Sequence, residues 1–118
     1  MSDGLFRLDH HIAVVTGACG NLGPVWAEAL LDAGARVAAL ELMDAPASAP
    51  YQALASRAGD RLRRFDCDVT NRVSIETAAD RIASEMGEPA ILVNNAGVDQ
   101  PPDATGSRSR IDDLPIDQ

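Results

Sequence analysis

The chain has 118 residues, 46% of them hydrophobic and only 3% aromatic, which suits one modest domain with a core of Ala, Val, Leu and Ile. Ten basic residues against eighteen acidic leave a formal net charge of −8, which argues against a nucleic-acid partner, since phosphate binding wants a basic face. No apolar run is long enough to span a bilayer and no secretory leader pattern opens the chain, so a cytoplasmic protein without a membrane partner is expected.

Residues 1–11 read as a polar leader with one apolar pair, Leu5-Phe6. Adjacent strand residues point to opposite faces, so His10 and His11 are strand-entry residues rather than paired metal ligands. Residues 12–16 are a short apolar run bounded by a turn, as in a parallel strand covered on both faces. The run passes through Gly17-Ala18-Cys19-Gly20-Asn21-Leu22-Gly23 into helical periodicity. Such a turn offers unpaired N–H groups and the positive end of a helix dipole to an anion. Gly17 lets the chain turn, Gly20 lets the backbone approach a pyrophosphate, and Gly23 lets the helix pack close to the strand. A tight turn with no ligand would carry the same glycines, so the loop gains meaning only from the strand before it and the helix after it.

Leu22, Val25, Trp26, Ala29, Leu30 and Ala33 repeat at helical spacing, which predicts an amphipathic helix with this stripe, Trp26 included, against the core. Pro24 suits its first turn and Gly34 its end. Residues 37–40 predict a second strand, with Glu41 at its C-terminal end followed by Leu42. Glu41 follows Gly23 at about the interval of the acidic residue that takes the ribose hydroxyls of NAD; the other reading is a solvated strand-end carboxylate. A carboxylate there repels the extra phosphate of NADP, and Leu42, Met43 and Asp44 bring no cation to hold it.

Residues 44–50 read as a Pro/Ala loop, and Tyr51, Leu54, Ala55 and Ala58 as a short helical stripe. A third strand over 62–65 leads to Asp66-Cys67-Asp68-Val69-Thr70, and Thr70 or Asn71 can cap the next helix. That helix carries Ile75, Ala78, Ala79, Ile82, Ala83 and Met86 on one stripe and stops at Gly87 and Pro89. A fourth strand over 90–93 runs into Asn94-Asn95-Ala96-Gly97. Cys19 and Cys67 are far apart, show no metal spacing and read as reduced thiols. From Val98 the pattern dissolves into loop, and residues 111–118 look like the approach to a further helix.

The order βαβαβαβ, with a helix as each crossover, predicts an α/β fold: a partial doubly wound parallel sheet of the Rossmann type, about four strands with helices on both faces. Residues 1–97 make the half-domain and 98–118 a loop into the next helix. The glycine loop, Glu41, Asp68 and residues 94–97 all fall at strand C-termini, the edge where such sheets bind ligands.

On these residues the chain resembles the short-chain dehydrogenase/reductase family, over about 7–100. The matching pieces are Thr16-Gly17-Ala18-Cys19-Gly20-Asn21-Leu22-Gly23, the pair Asp68-Val69, and Asn94-Asn95-Ala96-Gly97. The resemblance implies that Gly17, Cys19, Gly20, Asn21, Leu22 and Gly23 cradle the pyrophosphate of NAD. It implies that Glu41, with Leu42 beside it, selects NAD, that Asp68 bonds the adenine amino group and Val69 flanks the ring. Asn94, Asn95, Ala96 and Gly97 would line the cofactor and brace the sheet. Asn21 stands where the commonest family pattern has its middle glycine, a place an asparagine can fill because it tolerates left-handed backbone.

The family's catalytic Ser, its Tyr-x-x-x-Lys pair and an upstream Asn fall beyond this chain's matching residues; Tyr51 has Ala55 four residues on, and Ser107 and Ser109 come too early. The resemblance thus implies the N-terminal half of an NAD-dependent oxidoreductase acting on an alcohol or carbonyl, inactive as this chain alone. The stretch from Gly20 to Pro24, with Trp26-Ala27-Glu28, is similar to sugar-acid or polyol dehydrogenases of the family. Full-length relatives are implied to be dimers or tetramers. Two other readings stay open: a non-catalytic module for an adenine dinucleotide, and an interaction domain with no nucleotide. A half-sheet would expose its fourth strand as an apolar edge, predicting marginal stability or self-association.

Overall fold

Ile12–Thr16 form strand β1, and all five residues are buried. The computed structural model describes residues 7–96, and β1 lies inside its sheet. Helix α1 (Gly23–Asp32) follows, then β2 (Arg36–Glu41), α2 (Ala49–Ala58), β3 (Leu62–Asp66), α3 (Arg72–Glu85) and β4 (Ile91–Val93). The strands lie in the order β3-β2-β1-β4, every pair parallel. Val15 sits opposite Ala39 on one side and Val93 on the other. Strand order therefore reverses beside β1, where α/β sheets open a crevice at their carboxyl ends.

Side chains alternate across the strands and build two core layers. Val15, Val37, Ala39 and Leu62 face α1 and α2, meeting Ala27, Leu31, Tyr51 and Leu54. Ile12, Val14, Ala38, Leu40 and Phe65 face α3, meeting Ala78, Ile82 and Met86. Small residues in β2 suit a strand covered on both faces; Val37, Ala38 and Ala39 expose nothing. Arg63 and Arg81 both lie over the Phe65 ring, 5.6 and 5.2 Å from its centroid.

Helix α1 is turned away from the stripe its sequence suggests. Gly23, Pro24, Ala27 and Leu31 are buried, while Leu22, Val25 and Trp26 are 64%, 58% and 47% exposed. Trp26 is thus a surface residue of the described structure, not a core one. The turn sets this orientation: a Cβ at Gly23 would sit 2.5 Å from the Ala18 Cα and 2.6 Å from the Gly17 carbonyl oxygen. Only the narrow Gly23–Ala27 face fits that close to the sheet, and the bulkier side chains are left on the outer flank. In α3, Ala78, Ile82 and Met86 are buried as the spacing predicts, but Ile75, Ala79 and Ala83 are exposed. In α2 the stripe packs as predicted, led by Tyr51 and Leu54.

The helix ends follow local chemistry. At the end of α1 the Gly34 N–H donates to Leu31 and the Ala35 N–H to Leu30, with Gly34 at φ +104, a Schellman arrangement. Asn71, not Thr70, caps α3: its Oδ1 accepts the Ser74 N–H at 3.1 Å. Before β1, the His11 N–H closes a turn onto the Leu8 carbonyl, with His10 at φ +69. Gly97 and residues 98–118, including the expected loop and helix approach, lie outside the described residues.

Candidate dinucleotide site

Gly17 follows β1 with φ +63, and a Cβ there would lie 2.9 Å from the Ala96 Cα. Two independent constraints therefore hold this position to glycine. The buried Thr16 side chain ties the two strand ends together: its Oγ1 accepts the Asn95 and Ala96 N–H groups, both at 2.9 Å, and donates to Asn94 Oδ1 at 3.3 Å. The Asn95 amide donates to the Gly17 carbonyl at 3.2 Å. Residues 94–96 are thereby braced against the glycine turn.

Gly20 is different: its φ is not left-handed, and a Cβ there would meet nothing nearer than the Gly17 carbonyl at 3.8 Å. The fold does not demand this glycine, whereas a ligand approaching the backbone would. Asn21 also lacks a positive φ, so the left-handed tolerance invoked for it is not needed; among described non-glycine residues only His10 is left-handed. The turn runs at 20 and 21 through ordinary backbone, which asparagine adopts freely.

Glu41 ends β2 and its carboxylate folds onto the glycine turn. Oε2 accepts the Cys19 N–H at 3.2 Å and Oε1 the Leu42 N–H at 3.0 Å. The Cys19 side chain points the other way, 1% exposed in the core layer with Tyr51 and Leu54. Only its backbone faces Glu41 and the glycine turn. Burial pushes the Cys19 thiol up, the nearby Glu41 charge adds to this, and Arg64 opposes it. Cys67 is likewise free and buried, but in the layer facing α3, so the two thiols lie on opposite faces of the sheet.

Asp68 stands beyond β3. Its Oδ1 accepts both the Thr70 hydroxyl, at 2.6 Å, and the Thr70 N–H, at 3.0 Å, and these bonds hold its carboxyl below the usual carboxylate range. Its own N–H donates to Ser74 Oγ. Val69 is 41% exposed beside it. A shallow depression, open to solvent, lies between the ends of β2 and β3, lined by Leu42, Met43, Ala45, Asp66, Asp68 and Ser74 among others. Among the described residues no group of His, Cys, Asp and Glu is placed to hold a metal, and no helix is long and apolar enough to cross a membrane.

Three contributors escape the sequence reading. Thr16 is visible only as the residue before Gly17. Ser48 is read there as loop, yet it caps α2 and bonds the glycine turn. Arg64 lies on β3 and donates to the Leu42 and Ala45 carbonyls, both at 2.8 Å, fixing the wall of the depression.

A parallel sheet that reverses order beside a glycine turn, with a carboxylate at the end of the neighbouring strand, is the architecture of dinucleotide-binding proteins. The family model for short chain dehydrogenases matches residues 11–115, and the chain belongs to that family of oxidoreductases, whose members typically use a nicotinamide dinucleotide. It is 45% identical over 93 residues to a D-threitol dehydrogenase of Mycolicibacterium smegmatis, covering 79% of this chain and 35% of that protein. It is 46% identical over 102 residues to a galactitol 2-dehydrogenase of Rhizobium johnstonii, covering 80% of this chain and 36% of that one. The crystal structure of gox2181 superposes with a TM-score of 0.69 at 35% identity, over 79% of this chain and 36% of the other. The chain thus spans about a third of the length of the curated relatives it matches.

Proposed function

We propose that this chain is the cofactor-binding portion of an NAD-dependent oxidoreductase that acts on an alcohol or carbonyl of a polyol or related sugar derivative. The observation that carries the NAD preference is the Glu41 carboxylate, held over the glycine turn by the Cys19 N–H. Two acceptor oxygens at a strand end suit the two hydroxyls of a ribose, and the same charge disfavours a phosphate at that place. Gly17, Gly20, Asn21, Leu22 and Gly23, with the Cys19 backbone, would surround the pyrophosphate. Glu41 and Leu42 would hold the adenosine ribose. Asp68 would accept from the adenine amino group through Oδ2, which takes no bond among the described residues, with Val69 against the ring. Asn94, Asn95 and Ala96 would line the cofactor at the sheet's reversal, and Gly97 would follow them. When bound, the nicotinamide dinucleotide supplies a hydride acceptor or donor; this chain's residues supply binding and orientation.

The polyol assignment rests on the names of two relatives, the threitol and galactitol dehydrogenases. These 118 residues include no lysine, and so no Tyr-x-x-x-Lys pair. All ten of its basic residues are arginine, and its one tyrosine, Tyr51, is buried in α2, where burial pushes its hydroxyl up. No dehydrogenase turnover is therefore expected from these 118 residues. The test is a titration of the chain with NADH and, separately, NADPH. Saturable NADH binding with NADPH much weaker supports the reading, and Glu41→Ala should erase the difference. Equal binding of both, or of neither by a folded chain, overturns it.

A further inference from the structure

The glycine turn is held from beneath by Ser48, a side chain outside every motif of the family resemblance. The Ser48 N–H donates to the Cys19 carbonyl at 2.9 Å, and its hydroxyl donates to the Gly20 carbonyl at 2.7 Å. The same Oγ accepts the Tyr51 N–H at 3.3 Å as the cap of α2, so the first turn of that helix fixes the serine in place. The preceding peptide is held by Glu41, which accepts the Cys19 N–H.

Peptide planarity fixes where the neighbouring N–H groups point. No described peptide bond is cis, so each carbonyl points opposite to the N–H that follows it. Drawing the Cys19 and Gly20 carbonyls toward α2 therefore turns the Gly20 and Asn21 N–H groups to the far side of the turn. Neither N–H has a hydrogen-bond partner among the described residues. Both are left for an acceptor from outside the chain, and Gly20 has no Cβ to keep one away.

We propose that Ser48 is a positioning residue for the candidate site: by anchoring the Cys19 and Gly20 carbonyls to the start of α2, it aims two backbone donors at the phosphate groups of the ligand. This rests on the dinucleotide reading above. Freed from the anchor, the two peptide planes can flip, and a carbonyl oxygen facing a phosphate repels it.

The test separates anchoring from capping. Glycine at an N-cap costs only a few tenths of a kcal/mol relative to serine, so Ser48→Gly removes the hydroxyl bond to Gly20 while nearly preserving α2. Ser48→Thr keeps a hydroxyl. Calorimetric titrations of the 118-residue chain would use NADH, ADP-ribose and adenosine, the last lacking phosphate. Ser48→Gly should weaken NADH and ADP-ribose by about tenfold, the loss of one such bond, and leave adenosine unchanged. Ser48→Thr, which keeps the hydroxyl, should bind NADH and ADP-ribose at the wild-type level. Unchanged binding in Ser48→Gly, or an equal loss for all three ligands, overturns the role of Ser48. A wild-type chain that is folded yet binds neither NADH nor ADP-ribose overturns the dinucleotide reading itself, and the role with it.

Discussion

Gly17 is the residue on which the site turns, because it answers to two constraints at once: a left-handed φ and backbone contact with Ala96. Gly17→Ala meets both, and we expect it to cost about 2 kcal/mol, read as a lower urea midpoint at unchanged slope. Asp68 offers a test through protons. Its two bonds from Thr70 favour the ionised carboxyl and lower its pKa in the fold. That stability is present above the unfolded carboxylate value of about 3.9 and is lost as pH falls through the lowered folded value. Thr70→Val, which removes the leading hydroxyl bond, should raise the Asp68 pKa in an NMR titration; an unmoved value would sink this account. The turn at Gly17, the close packing at Gly23 and the strand end at Glu41 were legible in the sequence because their meaning is local, whereas Asp68 took its role from the family resemblance alone. Ser48 and Arg64 were not, since each acts across 19 to 28 residues of sequence on a backbone carbonyl, and carbonyls leave no trace in a pattern of side chains.

At the scale of elements, β1, α2 and the buried half of α3 follow their periodicity, and α1 does not. Two stripes on α1 share helical spacing, one of large residues and one of Gly23, Ala27 and Leu31. Hydrophobicity favours the first; the distance imposed by the glycine turn selects the second. Trp26→Gln should therefore shift stability by no more than about 0.5 kcal/mol, as at a surface position. Ala27→Leu, at a site with no exposure, should cost about 1–3 kcal/mol by overpacking, both measured by urea unfolding. A large loss at Trp26 with tolerance at Ala27 would reverse the assigned face.

Across the whole molecule, apolar surface remains on several sides. Leu22, Val25 and Trp26 face out from α1, Val73 and Ile75 from α3, and Leu92 from β4, which is an edge of the described sheet. Unpaired edges and contiguous apolar surface promote association. Sedimentation of the 118-residue chain should accordingly depend on its concentration; a clean monomer across a hundredfold range, with a cooperative melt, would refute this. NADH at a hundred times its dissociation constant should add about 2.7 kcal/mol to unfolding and raise the melting temperature.

The bonds from Thr16 to Asn95 and Ala96 join groups 79 and 80 residues apart. Closing so long a loop carries an entropic cost that shorter-range strand pairs escape, and β4 contributes only three residues to offset it. We expect β4 to dock late in folding and to open locally before the rest of the sheet. The crevice at the sheet's reversal exists only while β4 is docked. In native-state hydrogen exchange the β4 amides should be the first of the sheet to exchange. A ligand seated across the adjoining Gly17 and Ala96 backbones would slow them, because it would bind only the docked arrangement.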